Sequence, residues 1–265
     1  MKYGFIGLGN MAGAIIAGMA VSGKFSEDTV YGYNRSVQKT EALHEKCGLV
    51  PAESAADVAK KSDVVILSVK PQMMDGVLSE IKDCITPDKT VISIAAGLPC
   101  ARYEGAFEGE IPVVRVMPNI NAKVLAAISG ICGGKYAKEE DIAIADNIFS
   151  TIGKTYRLDE KMFPAFSAIG GASGAFVMMY IDALAEAAVR EGFPRAMAEE
   201  LAEHAVSGAA ILAEKSEEHP IALMNSICSP GGTTIEGVCK LKELGFESAV
   251  QQGIKAIVEK DRKLG

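Results

Sequence analysis

Residues 3–14 read YGFIGLGNMAGA and place a glycine-rich turn between a short apolar run and a helical pattern. In the spacing Gly7-x-Gly9-x-x-Ala12, the first glycine permits a tight turn and the second lets a pyrophosphate approach the backbone. The small third residue lets the helix pack closely on the strand, with its N-terminus toward the phosphates. We therefore predict a dinucleotide site here, and a tight turn with nothing bound is the alternative. The predicted contacts are Gly7, Gly9, Asn10, Met11 and Ala12.

The end of the second predicted strand indicates which dinucleotide binds. An Asp or Glu there would hydrogen-bond the ribose 2′-hydroxyl of NAD, whereas this chain reads Tyr33-Asn34-Arg35-Ser36. Arg35 beside Asn34 and Ser36 suits a 2′-phosphate, because a guanidinium forms charge-assisted paired hydrogen bonds with phosphate. We predict NADPH as the cofactor, with NADH as a second substrate; a solvated turn capped by Ser36 is the alternative.

Further loops leave the same predicted edge of the sheet. In open α/β sheets the ligand lies beyond the carboxyl ends of the strands. We predict that three of these loops contact the cofactor, although each could instead only terminate its strand. Their candidate residues are Ser68, Val69 and Lys70, then Ala95 and Gly97, and then Pro118 and Asn119.

The two halves of the chain differ in their hydrophobic rhythm. Residues 1–158 alternate Val- and Ile-rich runs with helical patterns, which is typical of βαβ units and a mostly parallel sheet. Residues 159–265 carry helical patterns and no strand signal. We predict an α/β chain, with a Rossmann-like dinucleotide-binding domain over 1–158 and an all-α domain for substrate binding and dimerisation over 159–265. The predicted strands are 2–7, 29–33, 64–69, 91–95, 113–117, 126–132 and 155–158. The predicted helices are 11–21, 37–46, 55–61, 72–81, 139–149, 175–191, 195–215, 234–243 and 246–263.

Composition limits the function classes. The chain has 265 residues, 49% of them hydrophobic, which indicates a globular protein with a substantial core. Its net charge of −7 argues against a nucleic-acid binder. The six cysteines are scattered without Cys-x-x-Cys spacing, so we expect reduced thiols, no disulfide and no metal site. The chain opens on a strand-like run rather than a signal sequence, and a cytoplasmic location follows as an expectation.

One apolar segment has two interpretations. Residues 162–181 carry no charge, but they contain Pro164 and several glycines, so a buried helix is favoured over a membrane span. Helix 175–191 has a single polar stripe formed by Asp182, Glu186 and Arg190. A helix this apolar needs more cover than its own domain offers, and we predict a homo-oligomer.

A second glycine-rich segment interrupts the helical half at Ser229-Pro230-Gly231-Gly232-Thr233-Thr234. The two glycines can take positive φ angles and expose backbone N–H groups. The next helix is predicted to start at about Thr233, so its unsatisfied N–H groups and positive dipole end would face an anion. An ordinary Pro-Gly turn with a Ser or Thr cap is the alternative.

Almost the whole chain resembles the pyrroline-5-carboxylate reductase family. The resemblance is carried by FIGLGNMA (5–12), SVKP (68–71), MPN (117–119), the helix AFVMMYIDALAEAAVREGFPR (175–195) and, most specifically, SPGGTTIEGV (229–238). It implies reduction of the cyclic imine 1-pyrroline-5-carboxylate to L-proline with NADPH or NADH, the last step of proline biosynthesis. It also implies a Rossmann domain followed by a helical domain that forms an intertwined dimer, sometimes assembled further into a decamer.

The same resemblance implies residue roles. The Thr234 hydroxyl is expected to donate to the substrate nitrogen, and the loop from Ser229 through Gly231, Gly232 and Thr233 is expected to hold the carboxylate. Glu217 matches a position near that loop in the family, and a plain surface turn is its alternative.

One segment of this chain departs from the family pattern. Two other classes of protein are alternatives to this family. Where the family reads Ser-Gly-Pro-Ala-Tyr/Phe, this chain has Ala172-Ser173-Gly174-Ala175-Phe176, without the proline that opens the long helix. The β-hydroxyacid dehydrogenases also begin with an IGLGNM-like run, but their glycine-rich helix carries a catalytic lysine, and residues 170–176 contain none. A non-catalytic NADP-sensing protein with this fold is the alternative from another class.

Overall fold

A computed structural model describes residues 1–262 and divides the chain into two compact units, one built mainly from Met1–Gly171 and the other from Ala172–Glu259. The first unit contains an eight-stranded sheet in the order β3-β2-β1-β4-β5-β6-β7-β8. Its strands are β1 Lys2–Ile6, β2 Thr29–Tyr33, β3 Val50–Pro51, β4 Val64–Leu67, β5 Thr90–Ser93, β6 Val113–Met117, β7 Ala127–Gly133 and β8 Gly153–Arg157. All neighbouring pairs are parallel except β6 and β7, which are antiparallel.

Helices cover both faces of this sheet. They are α1 Asn10–Ser22, α2 Val37–Cys47, α3 Ala55–Lys61, α4 Met74–Ile81, α5 Cys100–Glu104, α6 Glu139–Phe149 and α7 Phe163–Phe166, followed by a π-helical segment, Ser167–Ala172. One apolar cluster includes Phe5 and Ile66, and the other includes Leu67 and Val91. Because the central strands are buried on both faces, they read as continuous apolar runs instead of alternating patterns.

The predicted fold class is confirmed, and each of the seven predicted strands is present. The sequence pattern missed β3, which has only the two residues Val50–Pro51, and the short helix α5. Elements this short carry too few residues to show a period.

The second unit is helical. Its helices are α8 Ser173–Arg190, α9 Arg195–Lys215, α10 Pro220–Ile227, α11 Thr233–Glu243 and α12 Phe246–Asp261. The last residue of the predicted helix 246–263 lies outside the described residues. The pattern missed α10, which has proline at its first position and is followed closely by the glycine-rich loop.

The core of the second unit is very small. Its buried apolar cluster contains Ala185, Ala198 and Ala202, and α8 packs against α9. On α8, by contrast, Met178 and Met179 are 64% and 71% exposed. In the single chain α8 is therefore largely exposed, and its burial stays a prediction that depends on the predicted homo-oligomer. By length and composition alone, Glu160–Arg190 could also cross a membrane, a test that the core helix of a soluble protein passes too.

The contacts place the division between the two units after Gly171, which is later in the chain than the predicted boundary after residue 158. Arg115 Nη1 lies 3.1 Å from Glu160 Oε1, and Phe163 is only 1% exposed within the first unit. The Asn119 side-chain amide donates to the Gly170 carbonyl at 2.7 Å. These contacts hold the segment up to Gly171 on the sheet. The predicted domain boundary itself stays a prediction.

Candidate active site

The turn between β1 and α1 has the geometry of a phosphate-binding loop. Gly7 has φ +93°, and a Cβ there would lie 2.7 Å from Val69 Cγ1, so this position requires glycine. Gly9 is the N-cap of α1, has extended backbone and makes no side-chain capping bond, and the first turn holds no acidic residue. The first N–H groups of α1, at Asn10 and Met11, therefore have no side-chain cap and are available to an anion.

Asn34 connects this turn to the end of β2. The Leu8 N–H donates to Asn34 Oδ1 at 3.0 Å, and Asn34 Nδ2 donates to the Ser36 carbonyl at 3.3 Å. The Ser36 hydroxyl donates to Gln38 Oε1 at 3.1 Å and does not cap α2. The Arg35 side chain is exposed, and it makes no hydrogen bond or ion pair with the described residues. Arg35 is therefore a cation available to a ligand at the end of β2.

A cleft of about 180 Å³ joins residues that the sequence singled out separately. Gly7, Asn34, Arg35 and Val69 line it together. The remaining lining residues were not predicted: Ile6, Tyr33, Ala55, Met73, Gly76, Val77 and Glu80. Most of them are apolar. The cleft therefore combines an apolar lining with the cationic side chain of Arg35, which suits an adenosine bearing a 2′-phosphate. A larger cavity of about 290 Å³ lies around Phe25 and Asp28 and contains none of the predicted site residues.

The carboxylate of Glu80 is the one acidic group lining this cleft. Its Oε1 accepts the N–H groups of Ala55 at 3.0 Å and of Ala56 at 3.4 Å, so it caps the start of α3. Glu80 was not among the predicted site residues, because the apolar pattern of α4 around Met74 and Val77 indicates a helix and not a ligand contact.

The loops after β4, β5 and β6 approach the same edge. The Ser68 hydroxyl donates to the Gly7 carbonyl at 2.5 Å, which fixes the glycine turn against the end of β4, while Lys70 is exposed. Gly97 has φ +78°, and Ala95 is buried. Pro118 is half-buried beside Asn119. Contact of these residues with the cofactor stays a prediction.

Asn119 has a structural task within the first unit. Its Nδ2 donates to the Gly170 carbonyl at 2.7 Å, and its Oδ1 accepts the Ile128 N–H at 3.3 Å. Both polar ends of the amide therefore hold the π-helical segment against β7. The sequence suggested a ligand contact because the residue follows a strand end, a signal that does not distinguish the two roles.

In the second unit, the loop before α11 presents an uncapped helix N-terminus. Gly231 has φ +68°, and the Gly232 N–H donates to the Ser229 carbonyl at 3.0 Å. A Cβ on Gly232 would collide with the Ser229 hydroxyl oxygen. Gly232 is the N-cap and no side chain caps the helix, so the Ser/Thr-capped alternative does not describe this turn. Thr233 and Thr234 are exposed at the same end, which places hydroxyl donors beside free N–H groups.

Two further predicted features lie in the helical half. Glu217 is exposed between α9 and α10, in a turn where the Glu218 N–H donates to the Ser216 hydroxyl at 3.0 Å. The segment without the family proline is π-helical up to Ala172, and α8 begins at Ser173. A helix therefore starts here without proline at its first turn.

The parallel sheet, the glycine turn at a helix N-terminus and the arginine at the end of β2 define a dinucleotide-dependent oxidoreductase of the Rossmann class. Residues 2–97 match the family described as NADP oxidoreductase, coenzyme F420-dependent. Residues 160–264 match the family described as pyrroline-5-carboxylate reductase dimerisation.

Individual relatives show to which family the chain belongs. The pyrroline-5-carboxylate reductase of Escherichia coli is 40% identical, over 99% of this chain and 98% of the relative. The structure of the pyrroline-5-carboxylate reductase from Coxiella burnetii is 30% identical, covers 99% of this chain and 98% of its own, and superimposes with a TM-score of 0.93. The Plasmodium falciparum pyrroline carboxylate reductase, solved with NADP bound, is 28% identical over 100% of this chain and 98% of its own, with a TM-score of 0.85. The chain belongs to the pyrroline-5-carboxylate reductase family and is an NAD(P)-dependent oxidoreductase.

Proposed function

We propose that this chain reduces 1-pyrroline-5-carboxylate to L-proline, the last step of proline biosynthesis. The first glycine-rich segment binds the cofactor, and the second binds the substrate. NADPH, or NADH, supplies the hydride when bound. In the first unit, the N–H groups at the start of α1 receive the pyrophosphate, and Arg35 pairs with the 2′-phosphate. Gly7 and Ser68 keep that turn in the shape the phosphates require.

The observation that carries the substrate assignment is the uncapped N-terminus of α11 with an exposed hydroxyl beside it. The N–H groups at the start of α11, from Thr233 onward, offer an anion site for the carboxylate. The Gly232 N–H is used within the loop, where it donates to the Ser229 carbonyl, so Gly232 holds the loop together with Ser229 and Gly231. The Thr234 hydroxyl donates to the ring nitrogen. As the imine carbon accepts hydride, the nitrogen gains electron density, so this hydrogen bond strengthens toward the transition state.

Substitution of Thr234 tests this assignment. Thr234→Ala should lower kcat roughly 10-fold or more, the scale of losing one hydrogen bond to a group that gains charge. The KM for NADPH should stay unchanged, because the cofactor contacts lie elsewhere. Thr234→Ser keeps the hydroxyl and should retain most of the rate, which separates donation from packing.

The assay follows NADPH oxidation and proline formation with pyrroline-5-carboxylate. An unchanged kcat in Thr234→Ala would show that another group donates to the nitrogen. Cofactor binding without turnover in the wild-type chain would instead favour the non-catalytic sensing alternative.

We further propose how the chain assembles and where it works. The helical unit pairs with a second copy, and five such dimers can assemble further into a decamer. The exposed apolar face of α8 supports the pairing. Glu217 organises the Ser229–Thr234 loop of the active site. The chain works in the cytoplasm without nucleic-acid or membrane partners, in keeping with its net charge of −7 and its free cysteines. Light scattering distinguishes a dimer from a decamer by its mass relative to the 27.9 kDa chain.

A further inference from the structure

Three side chains with metal-ligand chemistry meet in the first unit, although they are far apart in the sequence. Cys100 is the first residue of α5, Cys132 lies on β7, and Glu160 begins a short 3-10 turn. The two Sγ atoms are 4.0 Å apart, and one ligand atom from each of the three residues lies within 4.8 Å of the others. Both cysteines are buried.

We propose that Cys100, Cys132 and Glu160 form a binding site for a thiophilic divalent cation of the Zn²⁺ type. Tetrahedral zinc with Zn–S bonds of about 2.3 Å separates two thiolate sulfurs by about 3.8 Å, so the observed separation needs to change by only a few tenths of an ångström. A disulfide would need the same sulfurs at about 2.05 Å. A carboxylate at the third corner is a metal ligand and has no part in a disulfide.

The surroundings of Glu160 orient it for this role. Its Oε1 accepts the Cys100 N–H at 2.8 Å and the Arg115 guanidinium at 3.1 Å. Arg115 in turn stacks on Phe163, with its guanidinium carbon 4.4 Å from the ring centroid. One carboxylate oxygen is thus fixed by two donors, and the other is available to a cation. Such outer contacts set ligand orientation in metal sites.

The charges of the cluster also balance around a divalent cation. Two thiolates and the Glu160 carboxylate bring three negative charges, which the cation and Arg115 together neutralise. Arg115 is the register partner of Cys132 across β6 and β7, so it stays beside the cluster. The Glu160 side chain is 35% exposed, which leaves one side open for a water as fourth ligand.

Binding requires only proton release. The cation replaces the proton on each thiol, two S–H bonds give two metal–sulfur bonds and two protons, and no oxidant takes part. Because binding releases both thiol protons, affinity should rise with pH.

The bound cation would connect α5, β7 and the segment at Glu160. Cys100 follows the loop of Ala95 and Gly97, which is predicted to contact the cofactor. The cation would therefore restrain the end of this loop at Cys100. All three residues lie outside the proposed cofactor and substrate contacts, so cation binding can be measured independently of the reaction.

Cobalt titration of the full-length, reduced and chelator-treated protein tests the site. Co²⁺ should bind at one per chain with a thiolate-to-cobalt charge-transfer band, visible d–d bands of tetrahedral cobalt, and release of about two protons at a pH below the thiol pKa values. Cys100→Ser and Cys132→Ser should abolish the charge-transfer band, and Glu160→Gln should weaken binding roughly 10- to 100-fold. Cys84→Ser and Cys228→Ser, which change thiols outside the cluster, should leave it intact.

Several results would overturn the proposal. They are the absence of the band in wild-type protein, its persistence in Cys132→Ser, or its loss in Cys84→Ser. Mass spectrometry showing that the pair forms an internal disulfide instead of binding cobalt would do the same. The wild-type titration decides the matter even if a buried serine impairs folding, and circular dichroism of each variant identifies such a loss.

Discussion

Arg35→Glu is the sharpest test of the cofactor cleft. The Arg35 side chain is exposed and makes no hydrogen bond or ion pair with the described residues, so its replacement breaks no internal contact. The variant places a carboxylate where we assign the 2′-phosphate, in a cleft already lined by Glu80. The effect should therefore fall on cofactor choice and not on folding.

The size of the effect follows from one charge-assisted contact. Such a hydrogen bond is worth about 1.5–3 kcal/mol, and about 1.4 kcal/mol corresponds to a factor of ten. The KM for NADPH should rise roughly 10- to 150-fold. The KM for NADH should change only a few-fold, because that cofactor lacks the 2′-phosphate.

Initial rates with each cofactor, at saturating imine, measure this selectivity. Lys24→Glu makes the same change in charge in the turn before β2, at the opposite end of that five-residue strand. It should leave the ratio of the two KM values unchanged. Equal increases for NADPH and NADH in Arg35→Glu would refute the assignment of Arg35 to the 2′-phosphate.

Two more predictions concern the glycine turn and the helical unit. In Gly7→Ala, the alanine would have to adopt φ +93°, and its Cβ would lie 2.7 Å from Val69 Cγ1. The substitution should lower the free energy of unfolding by about 1–3 kcal/mol and abolish NADPH binding. Gly13→Ala, whose Cβ would meet only Leu43 at 3.9 Å, should instead stabilise α1 by about 0.5–1 kcal/mol in urea unfolding. Met179→Glu places a charge on a side chain 71% exposed in the single chain and should give monomers by sedimentation velocity, whereas Val21→Glu on α1, at 76% exposed, should not. A dimeric Met179→Glu protein would move the subunit contact away from this face of α8.

The sequence predicted those features that are local in the chain. The glycine turn, the arginine after β2 and the loop before α11 each occupy a few consecutive residues, so spacing and residue type were sufficient. The wall of the cleft was not predictable in this way. Met73 and Glu80 belong to a segment whose apolar pattern reports burial but does not reveal which ligand a face will meet.

The cysteine pair shows the other limit of sequence reasoning. Cys100 and Cys132 lack any metal-binding spacing, and the sequence predicted no metal site. They meet because β7 runs antiparallel to β6, which sets Cys132 opposite Arg115 and near the start of α5. A one-residue shift in register would turn Cys132 to the other face. Such a meeting depends on sheet register, which periodicity does not specify.

The small alanine core of the helical unit has a consequence for the fate of faulty copies in a cell. The first unit carries two large apolar clusters, whereas the second has the small cluster of Ala185, Ala198 and Ala202 and needs cover from another chain in the proposed dimer. A copy damaged only at Gly7 keeps its helical surface intact and will still be taken into pairs with sound copies. In the proposed dimer, such a copy therefore places one faulty cofactor site beside one sound site. A copy damaged on α8 is instead expected to stay unpaired, with Met178 and Met179 left exposed.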